Sequence, residues 1–102
     1  YWSVPFVVSW SLLDALASGC VVLAADAEAV REFVEPGVNG LLEPFFDVGR
    51  FADTACRVLA GPAAFRPLGE AARRRIDETH RPDVVVPQLK ALLERAAARR
   101  PV

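Results

Sequence analysis

Residues 6–25 read FVVSWSLLDALASGCVVLAA, and this stretch decides how the chain folds. Its twenty residues carry one ionisable side chain, Asp14. The stretch is long enough to cross a bilayer, but a carboxylate at its middle costs ~2.5–3.5 kcal/mol of insertion free energy, which disfavours a membrane span. We instead predict a helix over residues 8–18 that is ended by Gly19, followed by a buried β-strand over residues 21–25.

The predicted helix carries a polar stripe. Ser11, Asp14 and Ser18 are spaced i, i+3 and i+7, so they share one face, while three leucines cover the other side. The carboxylate of Asp14 is therefore predicted to face a groove or a ligand. The alternative is that it points to solvent or is hydrogen-bonded by the neighbouring serines.

The composition is that of a soluble globular protein. The chain has 102 residues, of which 53% are hydrophobic and 25% charged, enough for one domain with a core. There is no methionine, and the chain opens directly on an apolar segment, so we expect it to be a piece of a longer protein. We predict a single partial domain over residues 1–102, with a helical section over about residues 47–99.

The distribution of charge argues against nucleic acid as a partner. Residues 1–62 hold three arginines against eight acids, and residues 63–102 hold nine basic residues against five acids. The acidic half contains the predicted groove, and the basic half is predicted to be helical, so no basic binding surface is predicted. The run Arg73, Arg74, Arg75 is interpreted as a solvated helix face.

The cysteines and the histidine do not predict a metal site. Cys20 and Cys56 stand in apolar surroundings and are predicted to be core residues, which favours a reducing, cytoplasmic compartment. With one histidine, His80, and no Cys-x-x-Cys pair, no metal site is predicted. His80 itself is interpreted as a surface or capping residue.

A second strand is predicted after a short helical connection. Residues 30–34 indicate one or two helical turns, which residues 35–37, Glu-Pro-Gly, end. The dipeptide Asn39-Gly40 predicts a tight turn into a short strand at Leu41 and Leu42. Two strands joined by a helical connection of this length are expected to lie parallel.

Three helices are predicted beyond this strand. Asp47 is expected to cap a helix that ends near residue 59, a second helix covers residues 62–79, and Asp83 is expected to cap a last helix to residue 99 with Pro87 in its first turn. The side chains predicted to be buried on these helices are Phe51, Ala52, Ala55, Val58, Leu59, Phe65, Leu68, Ala72, Ile76, Val86, Leu89, Leu92 and Leu93.

The order of these motifs resembles a known family. Residues 10–22, WSLLDALASGCVV, resemble the LLEAMASGCPVV segment of family 4 retaining glycosyltransferases. Residues 31–34, REFV, and 36–42, PGVNGLL, are similar to its REVI…DGxNGLLV continuation, and residues 69–73, GEAAR, to its LGxAAR helix. The resemblance implies an α/β fold: the last two parallel strands and the C-terminal helices of the Rossmann-like, donor-binding domain of a GT-B enzyme. The implied partner within the same protein is an N-terminal domain.

The resemblance also implies a reaction. Such enzymes transfer a sugar from a nucleotide-diphosphate sugar to a glycan, lipid or small acceptor with retention at the anomeric carbon, without a metal or other cofactor. Basic residues neutralise the leaving diphosphate. Those residues are expected upstream of Tyr1, because Arg31 is the sole basic residue between Tyr1 and Gly49. No catalytic residue is therefore assigned here, and these 102 residues alone are expected to be inactive.

In the resembled family, two glutamates separated by seven residues lie on either side of the start of the first helix. The second matches Asp14, which is implied to hold the ribose hydroxyls of the donor. The first, which contacts the donor sugar, falls on Phe6, or on Val4 if a gap is allowed, and neither side chain can do so.

Further donor-binding residues follow from the resemblance. Backbone N–H groups of residues 7–9, including Val8 and Ser9, are implied to face the donor phosphates, with Ser11 on the polar stripe beside them. Glu32 matches a family glutamate, and its role is left open between contact with the ligand and hydrogen bonds to loop N–H groups.

Two other hypotheses are retained. One is a non-catalytic α/β binding or interaction module, a degenerate homologue, which the apolar Phe6 and the short Asp14 favour. The other is peripheral attachment at the inner face of a membrane through the arginine-rich C-terminal helices.

Overall fold

The computed structural model describes residues 8–99 as a short parallel sheet with helices on both faces. The elements in chain order are α1 (Trp10–Ala17), β1 (Leu23–Ala25), α2 (Glu28–Arg31), β2 (Leu41–Glu43), α3 (Val48–Ala60), α4 (Pro62–His80) and α5 (Pro82–Ala98). Leu23 pairs with Leu41 and Ala25 with Glu43 in parallel register. The predicted order of elements and the parallel pairing are confirmed, with α2 beginning two residues earlier than expected.

Local sequence signals set both ends of α1. The hydroxyl of Ser9 accepts a hydrogen bond from the N–H of Leu12 at 3.1 Å, so the helix begins at Trp10, two residues later than predicted. Gly19 adopts a φ of 80°, and the N–H groups of Gly19 and Cys20 donate back to helix carbonyls at 3.2 Å. This is the Schellman arrangement that favours glycine, and the predicted end of α1 is confirmed.

The sheet buries side chains on both faces because successive strand residues alternate in direction. One face of β1 contacts α1 and α4, and the other contacts α3. The first cluster consists of Leu12, Leu16, Val22, Ala24, Val30, Val34 and Ala72. The second consists of Leu23, Ala25 and Phe51. The buried strand predicted over residues 21–25 is therefore confirmed, but β1 is shorter than predicted and begins two residues later, at Leu23.

Helices α1 and α4 meet through glycines. Gly69 is buried in α4 against the link that follows α1. A Cβ atom built on Gly69 would overlap the carbonyl oxygen of Gly19 and would lie 3.0 Å from its carbonyl carbon. The two backbones are thus closer together than any side chain at position 69 permits.

The loop before β2 differs in detail from its prediction. Its turn is centred on Pro36 and Gly37, where Gly37 has a φ of 79° and the N–H of Val38 donates to the carbonyl of Glu35 at 3.0 Å. Proline followed by glycine at these positions is the signature of a type II turn. The predicted position of the turn, on Asn39 and the next glycine, is therefore wrong, because the turn is centred three residues earlier.

Asn39 instead holds the loop with its side chain. It is 2% exposed, its Oδ1 accepts the N–H of Glu35 at 2.6 Å, and its Nδ2 donates to the carbonyl of Phe33 at 2.8 Å. The side-chain amide of Asn39 thereby forms hydrogen bonds with two backbone groups that have no partner in a helix or strand.

We expect Asn39→Ala to lower the free energy of unfolding by about 1–2 kcal/mol, because both backbone groups lose their partner. Urea denaturation measures this loss. Val38→Ala, at a half-exposed position in the same turn, is the control and is expected to change the free energy by less than about 0.5 kcal/mol. Equal effects of the two substitutions would contradict the bracing role of Asn39.

The helix caps agree in part with the predictions. The carboxylate of Asp47 accepts the N–H of Arg50 at 3.0 Å, so the predicted cap of α3 is confirmed. The predicted cap of α5 is wrong: Asp83 lies within the first turn and contacts Arg81 at 3.2 Å instead. Pro87 is the sixth residue of α5, beyond the first turn, so the carbonyl of Asp83 loses its helical donor.

Several side chains predicted to be buried are exposed. Ala52 and Leu59 face outward because α3 turns Phe51 and Thr54 towards the sheet, and Leu59 is 79% exposed. Helix α5 buries none of its residues, because among residues 8–99 its main neighbour is α4 and no element covers its apolar side. More than half of the surface of each predicted core residue of α5 is exposed, namely Val86, Leu89, Leu92 and Leu93.

The predicted core positions of the cysteines are also wrong. Cys20 follows the glycine that ends α1, and Cys56 lies on the outer side of α3; both thiols are free and exposed. Within residues 8–99, moreover, no helix combines the length and the apolar content that crossing a bilayer requires.

Candidate functional site

The carboxyl ends of β1 and β2 form the edge at which the candidate site lies. Residues 18–22 are a short link between α1 and β1, which share one core cluster. A helix joined to a strand in this way is expected to run antiparallel to it, which places the N-terminus of α1 towards the carboxyl end of β1. Residues 44–47 likewise lead from β2 directly into α3. In open α/β sheets, ligands bind at this edge of the strands.

The first turn of α1 presents backbone donors at this edge. The N–H groups of Trp10 and Ser11 have no acceptor within residues 8–99, whereas that of Leu12 is occupied by Ser9. Free N–H groups and the helix dipole make such a terminus favourable for an anion. The open donors therefore lie after Val8 and Ser9, the positions that sequence analysis favoured.

That the backbone N–H groups of Val8 and Ser9 face the donor phosphates stays a prediction, and the structure describes the roles of their side chains. Val8 is half-buried and packs against the first core cluster. Ser9 uses its hydroxyl as the cap of α1. Both residues position the helix terminus, and Phe6, where the family has its first glutamate, lies outside the described residues.

Asp14 lies on the exposed face of α1, one turn after Trp10. The buried Leu12 and Leu16 fix the opposite face, so the helix is held with its polar stripe outward. Ser18 donates its hydroxyl to the backbone carbonyl of Asp14 at 2.7 Å and not to its carboxylate. Within residues 8–99 the carboxylate has no hydrogen bond or ion pair, so it is open to an external ligand.

An ion pair that was not predicted lies at the end of β1. Nε and Nη2 of Arg31 donate to the two carboxylate oxygens of Asp26 at 2.6 and 2.9 Å. The hydrogen bond from Arg31 holds the pKa of Asp26 below its ordinary value, and the same bond raises the pKa of Arg31. No local signal pointed to this pair, because its spacing of five residues is not one that brings side chains together on a helix.

The carboxylate of Glu43, at the end of β2, anchors α3. Its Oε1 accepts the hydroxyl of Thr54 at 2.9 Å, and its Oε2 lies 3.1 Å from Nε of Arg50. The backbone N–H of Asp26 donates to the carbonyl of Glu43 at 2.9 Å, so the two strand-end acids leave the sheet side by side.

Glu32 is exposed at the end of α2, and within the described part of the chain no side-chain bond of Glu32 holds the loop. Asn39 supplies that function instead, as described above. A role of Glu32 as a ligand contact stays a prediction. In residues 8–99, histidine, cysteine and acidic side chains form no group of three that could hold a metal ion.

A parallel β–α–β unit with helices on both faces of its sheet defines an α/β domain of the Rossmann-like type. The sequence profile described as glycosyl transferases group 1 matches residues 4–61. The chain belongs to this family.

Two relatives support the assignment. The chain is 30% identical over 87 residues to the amylovoran biosynthesis glycosyltransferase AmsK of Erwinia amylovora, a match that covers 85% of this chain and 21% of AmsK. It superimposes on sucrose-phosphate synthase from Thermosynechococcus elongatus with a TM-score of 0.81 and 28% identity, covering 89% of this chain and 23% of the synthase. The chain thus spans about a fifth of the length of these relatives, and the predicted GT-B fold class is confirmed.

Proposed function

We propose that this chain is the donor-binding part of a family 4 retaining glycosyltransferase. The substrate would be a nucleotide-diphosphate sugar, and the sugar would pass to a glycan, lipid or small acceptor. The observation that carries the proposal is the open carboxylate of Asp14, presented one turn beyond a helix terminus with two open N–H groups.

The chemistry of the two groups suits the two ends of a nucleotide. A carboxylate accepts hydrogen bonds from hydroxyl groups such as those of ribose, and a helix N-terminus favours phosphate. The groups lie on one helix within about one turn, or roughly 5.4 Å along its axis. A single α1 can therefore contact the ribose and the diphosphate of the same ligand.

The proposed reaction needs more than these residues. Within residues 8–49 the only basic side chain is Arg31, which is insufficient to neutralise a departing diphosphate unaided. We therefore expect these 102 residues, produced alone, to show no sugar transfer. Transfer above the rate of the protein-free control would contradict this expectation.

Calorimetric titration with ADP, GDP and UDP tests the proposal. The protein expressed from its complete reading frame is expected to bind one of the three with 1:1 stoichiometry, and inorganic phosphate serves as the reference for simple anion binding. If none of the nucleotides binds, the proposal fails and the alternative of a non-catalytic α/β interaction module is favoured.

A further inference from the structure

We propose that Arg31, held in place by Asp26, contacts the diphosphate of the donor. This inference rests on the proposed function and adds a binding residue to it. It starts from the bidentate ion pair that lies directly after β1, at the edge of the sheet where the candidate site is found.

The position of Arg31 is fixed through Asp26. Asp26 is tied to the neighbouring strand by its backbone bond to Glu43, at 2.9 Å. Its carboxylate then engages two nitrogens of the guanidinium, and such fork-like pairing restricts the orientation of the arginine. The side chain of Arg31 is therefore directed by the end of the strand rather than free to move over the surface.

The ion pair leaves most of the arginine available. A guanidinium has five N–H donors, and Asp26 accepts from only Nε and Nη2 of Arg31. Both hydrogens of Nη1 and one of Nη2 are not used by this pair, and the side chain is 54% exposed. Arg31 can thus donate to a phosphate oxygen without leaving Asp26.

The other described arginine at this edge is more constrained. Arg50 in the first turn of α3 contacts the largely buried carboxylate of Glu43, which also holds Thr54. Movement of Arg50 towards a ligand would leave a carboxylate that is 12% exposed without its cation. Arg31 can bind an anion without such a loss.

The test compares diphosphate with monophosphate nucleotides on the protein from its complete reading frame. The nucleotide that binds in the titration above is used in both forms. Arg31→Gln is expected to reduce the ratio of diphosphate to monophosphate affinity about 10-fold, the effect of losing a charge-assisted hydrogen bond to the second phosphate. Arg31→Lys keeps the charge but cannot form the paired hydrogen bonds of a guanidinium. Its ratio of diphosphate to monophosphate affinity is expected to lie between those of Arg31→Gln and the wild type.

Arg75→Gln is the control, because it removes the same charge from a surface ion pair with Glu35, and it is expected to leave the ratio unchanged. The thermal midpoint of each variant reports folding, and Arg31→Lys keeps the test decisive if Arg31→Gln does not fold. An unchanged ratio in folded Arg31 variants would overturn the inference while leaving the proposed function intact. Absence of nucleotide binding in the wild type would instead overturn the proposed function.

Discussion

Gly69→Ala is expected to lower the free energy of unfolding by about 2–3 kcal/mol, the range of a core substitution that adds one carbon where none fits. The new Cβ would overlap the carbonyl oxygen of Gly19, a backbone atom, and would also lie 3.3 Å from the carbonyl carbon of Cys20. Backbone cannot rotate away as a side chain can, so α4 must move from α1. This shift would open the core cluster that contains Leu16 and Ala72.

Two opposing terms decide the size of this effect. Alanine has a helix propensity more favourable than glycine by ~1 kcal/mol, and this gain offsets part of the overlap. Gly61→Ala, at the cap between α3 and α4, is the control for an added carbon without overlap, because no atom beyond its chain neighbours lies within 4 Å of the Cβ that would be added there. Urea denaturation of the two variants measures the difference, and a Gly69→Ala variant as stable as Gly61→Ala would contradict the close approach of α1 and α4.

Asp14→Ala is expected to weaken binding of the nucleoside diphosphate about 10- to 100-fold, which corresponds to ~1.5–3 kcal/mol for hydrogen bonds to a charged group. The exposed carboxylate has no structural partner in residues 8–99, so its removal is expected to leave the stability unchanged within about 0.5 kcal/mol. A large loss of affinity without a loss of stability distinguishes a ligand contact from a structural residue. Calorimetry and thermal unfolding together provide the two readings.

Two further variants control this prediction. Asp53→Ala removes an exposed acid from α3 and is expected to leave the affinity unchanged. Asp14→Glu lengthens the side chain by one methylene and restores the residue found in the resembled family segment, so it is expected to retain binding. If Asp53→Ala and Asp14→Ala weakened binding equally, general charge rather than a contact by Asp14 would be the cause.

Features that depend on neighbouring residues in the sequence were predictable. Gly19 ends α1 and Asp47 begins α3, because each acts on backbone groups within a few positions. The polar stripe through Asp14 followed from helical spacing alone. The parallel pairing followed from the length of the connection between the strands.

Features that depend on residues distant in sequence were not predictable. An apolar stripe indicates which face of α5 avoids water, but burial requires a neighbouring element, and none covers it within the described residues. The packing role of Gly69 could not be predicted, because it exists only against Gly19, in the link that follows another helix. The Asp26–Arg31 pair forms across a turn that no periodicity describes.

The central claim is that Asp14 binds the ribose of a nucleotide, and replacing the ribose tests it most directly. The affinities of the nucleoside diphosphate and its 2′-deoxy form are measured for the wild type and for Asp14→Ala. The wild type is expected to prefer the ribose form about 5- to 10-fold, the value of one net hydrogen bond, and Asp14→Ala is expected to bind both forms equally. The same preference in both proteins would contradict the claim.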